Sequence, residues 1–260
     1  MSLWPARSCV IHASHTDDWR QIKALIMKHA PSSASEEPDC KRRRRPAALE
    51  QRAVHFAHRR VVGPMVGASD LAFRLLCRRH GADCCYTEMI FSERLVNDEE
   101  YRRRKLQTCA GDRPLVVQLQ GNDPAIVGAA SRLIASSCAC DAVDLNLGCP
   151  LPQAEAQTFG AYLLDRQHWP TVAEMVSAMA ASSALPVFCK IRLCETVEET
   201  IALCDVLVRA GCSLIAVHGR RRPPAHRHRG QRQKEAADLE AVRRVAAAVQ
   251  VGPLIASDCC

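Results

Sequence analysis

The sequence predicts an α/β fold, a TIM-type (β/α)8 barrel that is incomplete after its seventh strand. Three observations lead there. Strand-like and helix-like segments alternate over residues 61–256, and alternation at intervals of roughly 25 to 40 residues requires parallel strands joined by helical crossovers. Side chains with chemical character stand at nearly every strand's C-terminal end: Met65, Glu88, Gln118, Asn146, Lys190 with Arg192, and His218. A barrel gathers such ends on one rim. No Gly-x-Gly-x-x-Gly follows the first strand, which argues against the dinucleotide-binding form of the rival doubly wound sheet.

Taken in order, residues 1–60 carry little periodicity. A short helix is compatible with 19–29, and 47–59 has helical spacing through Ala47, Leu49, Ala53 and Phe56. Between them, 31–46 is rich in Ser, Glu, Pro and Arg and reads as a linker. The whole stretch is expected to be an irregular, partly disordered basic extension. Regular structure begins with a strand over 61–65 that ends in a tight turn. Ser69 then caps a helix over 70–80, with Leu71, Phe73, Leu75 and Leu76 available for packing. Strands are expected over 82–89 and 114–119, a helix over 123–135, and a fourth strand over 142–147. A helix over 170–182 opens with proline in its first turn. A strand over 185–193 leads to a helix over 197–210 that stops at Gly211. The sixth strand spans 212–217, a helix 236–249, and the seventh strand 252–256.

The chain has 260 residues, 48% of them hydrophobic, enough for one large domain with a buried core. Aromatics make up only 4%, so that core rests on Leu, Val, Ile and Ala. The net charge of +7 suits a polyanionic partner and says nothing of the fold. Much of it lies in two clusters, at 41–45 and 220–232, each of which reads equally as a solvated segment or a nucleic-acid contact. The fifteen cysteines are odd in number and lack Cys-x-x-Cys zinc spacing, and residues 1–10 lack a secretory apolar core. These features point to free thiols, no metal and a reducing compartment, cytoplasmic or nuclear. No apolar run reaches the roughly 20 residues that cross a bilayer.

The reading centres on Asp144-Leu-Asn-Leu-Gly-Cys-Pro150. An apolar strand stops at Gly148, and Cys149 opens the loop at its C-terminal mouth, where α/β proteins place reactive groups. From the residues, Cys149 reads as a catalytic acid, with plain burial, the commoner fate of a free thiol, as the alternative. Lys190 sits inside an apolar strand, where a charge is expensive unless paired; a strand-end lysine reaching for water is its other reading.

These strand ends resemble the tRNA-dihydrouridine synthase family. Gly63-Pro64-Met65-Val66 resembles the family's opening Ala-Pro-Met-Val, and Tyr86-Thr-Glu-Met89 its second strand, in the form of the subgroup acting on tRNA positions 16 and 17. Val117-Gln118-Leu119 with Gly121-Asn-Asp-Pro124 resembles the third strand and its turn. Asn146-Leu-Gly-Cys-Pro150 with Phe159-Gly-Ala-Tyr-Leu-Leu164 is similar to the signature, and Lys190-Ile-Arg192 and His218-Gly-Arg220 complete the set. Six such motifs in order carry far more weight than any one.

The resemblance implies an FMN-binding barrel over 61–260 that reduces uridine in tRNA to 5,6-dihydrouridine, with NADPH or NADH as reductant. It implies a hydride from reduced flavin to C6 and a proton from Cys149 to C5. A thiol is mostly protonated at neutral pH yet can still give up its proton. Lys190 is implied at the electron-rich N1/C2 edge of the flavin and Gln118 at the ring edge. Pro64, Met65 and Val66 would lie against the isoalloxazine and His218 would face it. Asn146 and Arg192 are implied to hold the target uracil. For Gln118 and His218 a satisfied core side chain is about as compatible with the residues, and for Arg192 a structural ion pair. Folded tRNA must present an unstacked base, and the basic loop over 220–232 would meet its phosphates. A monomer is expected.

The chain also departs from the family. Arg221 stands where Thr is usual, and Asp238-Leu239 where Asp-Trp is usual. The end of the seventh strand reads Ala256-Ser-Asp-Cys-Cys260 in place of Ala-Asn-Gly-Asn. The eighth strand, its Gly-Arg phosphate turn and the helical tRNA-gripping domain have no counterpart. The expected consequences are two open strand edges and weak FMN retention, because a phosphate without a glycine nest loses oriented N–H donors. The alternative function is a non-catalytic truncated homologue or gene fragment with residual RNA binding. A third, another flavin barrel, is disfavoured by the context of Asn146 and Cys149.

Overall fold

Every strand pairing in the computed structural model, which describes residues 9–11, 60–223, 236–249 and 254–257, is parallel. The strands are β1 (Cys9–Ile11), β2 (Arg60–Val62), β3 (Cys84–Tyr86), β4 (Ile90–Phe91), β5 (Leu115–Gln120), β6 (Ala142–Leu147), β7 (Val187–Leu193), β8 (Cys212–Arg221) and β9 (Leu254–Ser257). Their order is β1-β2-β3-β5-β6-β7-β8-β9, with β4 beside the end of β5. Chain order and spatial order agree, as in a barrel wall. Helices fill the crossovers: α1 (Leu71–Arg79), α2 (Ser92–Asn97), α3 (Glu99–Lys105), α4 (Pro124–Ser137), α5 (Pro152–Ala156), α6 (Trp169–Ser182), α7 (Val197–Arg209) and α8 (Leu239–Ala248).

β5, β6 and β7 are buried at every position, as strands of a parallel sheet covered on both faces are. Side chains alternate between two faces. Val117, Leu119, Val143, Leu145, Cys189 and Ile191 join Val127, Ile134, Met175, Met179, Leu203 and Leu207 of the helices in the main core. The other face holds a smaller apolar cluster: Val61, Cys84, Tyr86, Val116, Ala142, Phe188, Leu214 and Ala216. On that same face, further along each strand, come Gln118, Asp144, Asn146, Lys190, Arg192 and His218, all buried. The fold thus places a polar storey above an apolar floor inside the barrel.

The expected strand over 82–89 is split. Thr87 donates its N–H to Val116 O at 2.9 Å, but its hydroxyl accepts the N–H of Gln118 at 3.1 Å. A side chain there replaces the ladder until β4 resumes it opposite Leu119 and Gln120. The strand expected over 61–65 stops at Val62. The cap of α1 is Asp70, whose carboxylate accepts from Phe73 N; the Ser69 hydroxyl instead accepts from Met65 N at 3.0 Å. α2 and α3 were not expected. They are joined at Asp98, which caps α3 by accepting from Tyr101 N.

Within the expected extension, Cys9–Ile11 forms β1, paired with β2 from Cys9 opposite Arg60 to Ile11 opposite Val62. The expected helices over 19–29 and 47–59, the linker over 31–46, residues 258–260 and most of the basic loop lie outside the described residues. β1 also runs close to β9, although no ladder joins them among the described residues. The wall is therefore an incomplete barrel in its hydrogen bonding, as the sequence predicts.

Candidate active site

The site is built from the ends of β5 to β8. Register places Gln118 opposite Asp144, Asn146 opposite Lys190 and Arg192 opposite His218. Period-two alternation then turns all six side chains to the barrel interior.

Three of them form one chain of hydrogen bonds. Gln118 Nε2 donates to Asp144 Oδ2 at 2.8 Å. Asn146 Nδ2 donates to Gln118 Oε1 at 2.8 Å. Asn146 Oδ1 accepts the N–H groups of Gly148 and Cys149, each at 3.0 Å. Backbone N–H groups only donate, so Asn146 must turn its oxygen to the Cys149 loop. Its Nδ2 then faces Gln118 Oε1, which leaves Gln118 Nε2 to donate to Asp144. Burial pushes the Asp144 carboxyl up to about 7, against the pull of the Gln118 bond and the Lys190 charge. Its Oδ1 is buried without a hydrogen-bond partner.

The Cys149 loop is pinned on every side. Arg192 Nε donates to Gly148 O at 2.7 Å, and Ala161 N donates to Cys149 O at 3.0 Å. Gly160 has φ +62°, and a Cβ there would fall 2.8 Å from both Cys149 Cβ and Cys149 O. Only glycine allows that approach. Tyr162 Oη donates to Pro150 O at 3.4 Å. Arg222 lies 4.7 Å over the Tyr162 ring, donates to Ala161 O at 3.0 Å and pairs with Asp165 at 3.0 Å. Cys149 itself is part-buried against the Met89, Ala154 and Phe159 cluster. Burial raises its thiol above the usual cysteine range, while the Leu151 N–H and the Arg192 charge pull the other way. The sulfur therefore carries its proton at neutral pH.

The arrangement brings together Cys149, Asn146, Gln118, Lys190, Arg192 and His218. Arg220 Nη1 lies 3.3 Å from His218 Nε2. Pro64, Met65 and Val66 follow β2. The Met65 side chain packs with Val62, Phe73 and Cys85, whereas Val66 is exposed. Glu88, whose Oε2 accepts from Gly67 N, is ion-paired to Lys105 at 2.7 Å. Arg221 donates to Glu195 O at 3.0 Å, so the described arginines of the basic loop brace the rim. Sequence reasoning gave no individual role to Asp144, Gly160 or Tyr162, and it gave Arg222 to the phosphates of the RNA, whereas here Arg222 binds Ala161 O and Asp165. Asp144 had a readable signal: a carboxylate two residues before Asn146 shares its face. Among the described residues no helix is long and apolar enough to cross a membrane, and no cluster of His, Cys, Asp or Glu side chains could hold a metal ion.

Fold and site together define a parallel α/β barrel protein with a protonated thiol and a polar network at the C-terminal rim. The family described as dihydrouridine synthase (Dus) matches residues 60–257, and the chain belongs to that family. It is 43% identical over 164 residues to the rat "tRNA-dihydrouridine(16/17) synthase [NAD(P)(+)]-like" protein, 62% of this chain and 36% of that one. With the Schizosaccharomyces pombe "tRNA-dihydrouridine(16/17) synthase [NAD(P)(+)]" it shares 37% over 166 residues, 63% of this chain and 41% of that one. A human "tRNA-dihydrouridine(20a/20b) synthase [NAD(P)+]-like" protein is 35% identical over 174 residues, 64% of this chain and 54% of that one. The chain thus spans between about a third and a half of the length of these relatives. The resemblance read from the strand-end motifs is borne out.

Proposed function

We propose that this chain carries the reductase barrel of a tRNA-dihydrouridine synthase, with Cys149 as the acid that protonates C5 of the target uracil. The observation that supports this most is the fixed loop around a protonated Cys149 at the rim where Lys190, Arg192 and His218 gather. FMN fits the donor set: buried cationic and imidazole nitrogens suit an electron-rich ring edge, and Asp144 Oδ1 is a buried acceptor still lacking a donor. Lys190 and His218 would hold it, with Gln118 lining the ring edge and Pro64, Met65 and Val66 presenting backbone. When bound and reduced by NADPH or NADH, FMN supplies the hydride that goes to uracil C6.

The chain's own residues do the rest. Burial keeps the proton on the Cys149 sulfur until a base needs it. Asn146 Oδ1 and Arg192 Nε hold the Gly148–Cys149 backbone, so the sulfur meets C5 from one direction. The charge of Arg192 acts on the sulfur, and its guanidinium is suited to a uracil carbonyl. The substrate is a uridine in tRNA, and the relatives' names favour positions 16 and 17.

The test incubates unmodified tRNA with this chain, FMN and NADPH, and looks by mass spectrometry for the gain of two hydrogens on a uridine. Cys149→Ala is expected to abolish that gain. No gain with the unmutated chain, at saturating FMN, overturns the proposal and leaves RNA binding as the function to be measured.

A further inference from the structure

Beside the Cys149 site lies a cavity of about 520 Å³ that the reaction above does not use. Phe91, Gln120, Asn122, Gln153, Gln157 and Phe159 line it. It opens on the same rim, since Gln120 ends β5, Phe91 ends β4, and the two glutamines at 153 and 157 belong to α5 and its C-terminal turn. Phe159 is the shared wall: it lines the cavity and packs in the cluster against Cys149. We propose that this cavity is a subsite for an unstacked nucleobase of the substrate RNA, flanking the uridine that is reduced.

Four observations carry the proposal. Phe91 and Phe159 pack on each other edge to face, 6.3 Å apart at 75°; Phe159 is buried, and Phe91, the part-exposed ring of the two, offers an aromatic surface of the kind on which single-stranded bases are held. Gln120 is only 7% exposed and makes no side-chain hydrogen bond to any described residue. The polar atom buried here without a hydrogen-bond partner is Ser92 Oγ, which also lines the cavity; such an atom costs free energy unless a ligand or water meets it, and a base edge offers donors and acceptors to it and to the Gln120 amide. Asn122 Nδ2 is held by Gln157 O at 2.8 Å, which leaves its carbonyl to accept from a base. The charge balance excludes a phosphate, because the lining carries the carboxylates Glu93 and Asp123 against one guanidinium, Arg94. That guanidinium is already stacked 4.2 Å over Tyr101 and paired with Asp98. A neutral, flat, hydrogen-bonding ligand is what remains. The volume is ample for a nucleoside.

The inference rests on the proposed function, and its test separates the two. Equilibrium binding of unmodified tRNA by fluorescence anisotropy is measured for the full chain with FMN, for Gln120→Leu and for Gln153→Ala. Gln153 is exposed, so its truncation leaves the fold intact even if Gln120→Leu does not. Each nucleotide flanking the target uridine is then made abasic in turn. Kd is expected to rise about tenfold for Gln120→Leu and about threefold for Gln153→Ala, with kcat at saturating tRNA retained. One abasic position should cost the unmutated chain about tenfold and Gln120→Leu nothing more. Unchanged Kd in both variants, with tRNA still bound and reduced, overturns the subsite alone. An unmutated chain that binds no tRNA overturns the functional reading and the subsite with it.

Discussion

The lower and upper halves of the barrel interior are made by the same strands and the same face, yet they do opposite things. Near the strand N-termini that face carries Val116, Ala142, Phe188 and Leu214, a closed apolar cluster. A few residues on, it carries Gln118, Asp144, Asn146, Lys190, Arg192 and His218. The lower half gains free energy by removing apolar area from water. The upper half gives some back, with a carboxyl raised by burial and an orphaned oxygen. A barrel can therefore hold its shape with one end of each strand and leave the other free for chemistry. Substitutions should separate the two halves: below, they cost stability; above, they cost reaction.

The largest expected effect is above. Cys149→Ser keeps the size of the side chain but replaces a thiol by a hydroxyl that holds its proton far more tightly. The rate of uridine reduction, followed by single-turnover assay, is expected to fall about 10²- to 10⁴-fold, the usual contribution of a general acid, with the thermal midpoint unchanged. Below, Phe188→Ala opens a cavity in the apolar cluster. It is expected to cost about 3–5 kcal/mol in urea unfolding. If Phe188→Ala costs only activity, or Cys149→Ser mainly stability, the division between the halves is wrong.

How much of this was legible follows from which contacts are local. β6 lies at Ala142–Leu147, as predicted, because Ala142, Val143, Leu145 and Leu147 mark a buried segment that ends at Gly148. α4 was legible from Asp123 and Pro124, which announce a helix start. α2 and α3 were not, since of all their residues only Ser92, Leu95 and Tyr101 are buried, too few for a period. The three residues of β1 are likewise too few. At Ser69 and Asp70 two capping types compete, and the hydroxyl is drawn off by Met65 N. In the site, the identity of Cys149, Asn146 and Gln118 as strand-end residues could be read. Their wiring could not, because it depends on cross-strand register. The need for glycine at 160 depends on a fold that brings it against Cys149.

A middle-sized effect tests that wiring. Asn146→Ala leaves the N–H groups of Gly148 and Cys149 without their acceptor and Gln118 Oε1 without its donor. Stability is expected to fall by about 1–3 kcal/mol. The reduction rate should fall with it, while FMN affinity, read from the visible spectrum on titration, is kept. Asn146→Asp retains an acceptor for both N–H groups and is expected to recover part of the rate. Equal loss in both variants would mean that Asn146 acts on the uracil directly and not through the loop.

The smallest effect concerns Asp144, and its sign is fixed by linkage. Burial raises the carboxyl to about 7 in the folded chain from about 3.9 in an unfolded one, so between those limits the folded state binds the proton more tightly than the unfolded state. The associated stability is complete at low pH and is lost as pH rises through about 7. One such group, carried from pH 6 to pH 8, loses about 1 kcal/mol. Asp144→Asn has no proton to lose, and its Oδ1 can still accept from Gln118, so the direction of the amide chain is preserved. Urea unfolding of the two proteins at pH 6, 7 and 8 is expected to show Asp144→Asn gaining on the unmutated chain by that amount, other titrating groups cancelling in the difference. A difference that stays flat with pH would mean that Asp144 keeps the same charge throughout, most simply because Lys190 neutralises it, and the upper half of the barrel would then hold an ion pair where a poised carboxyl is described.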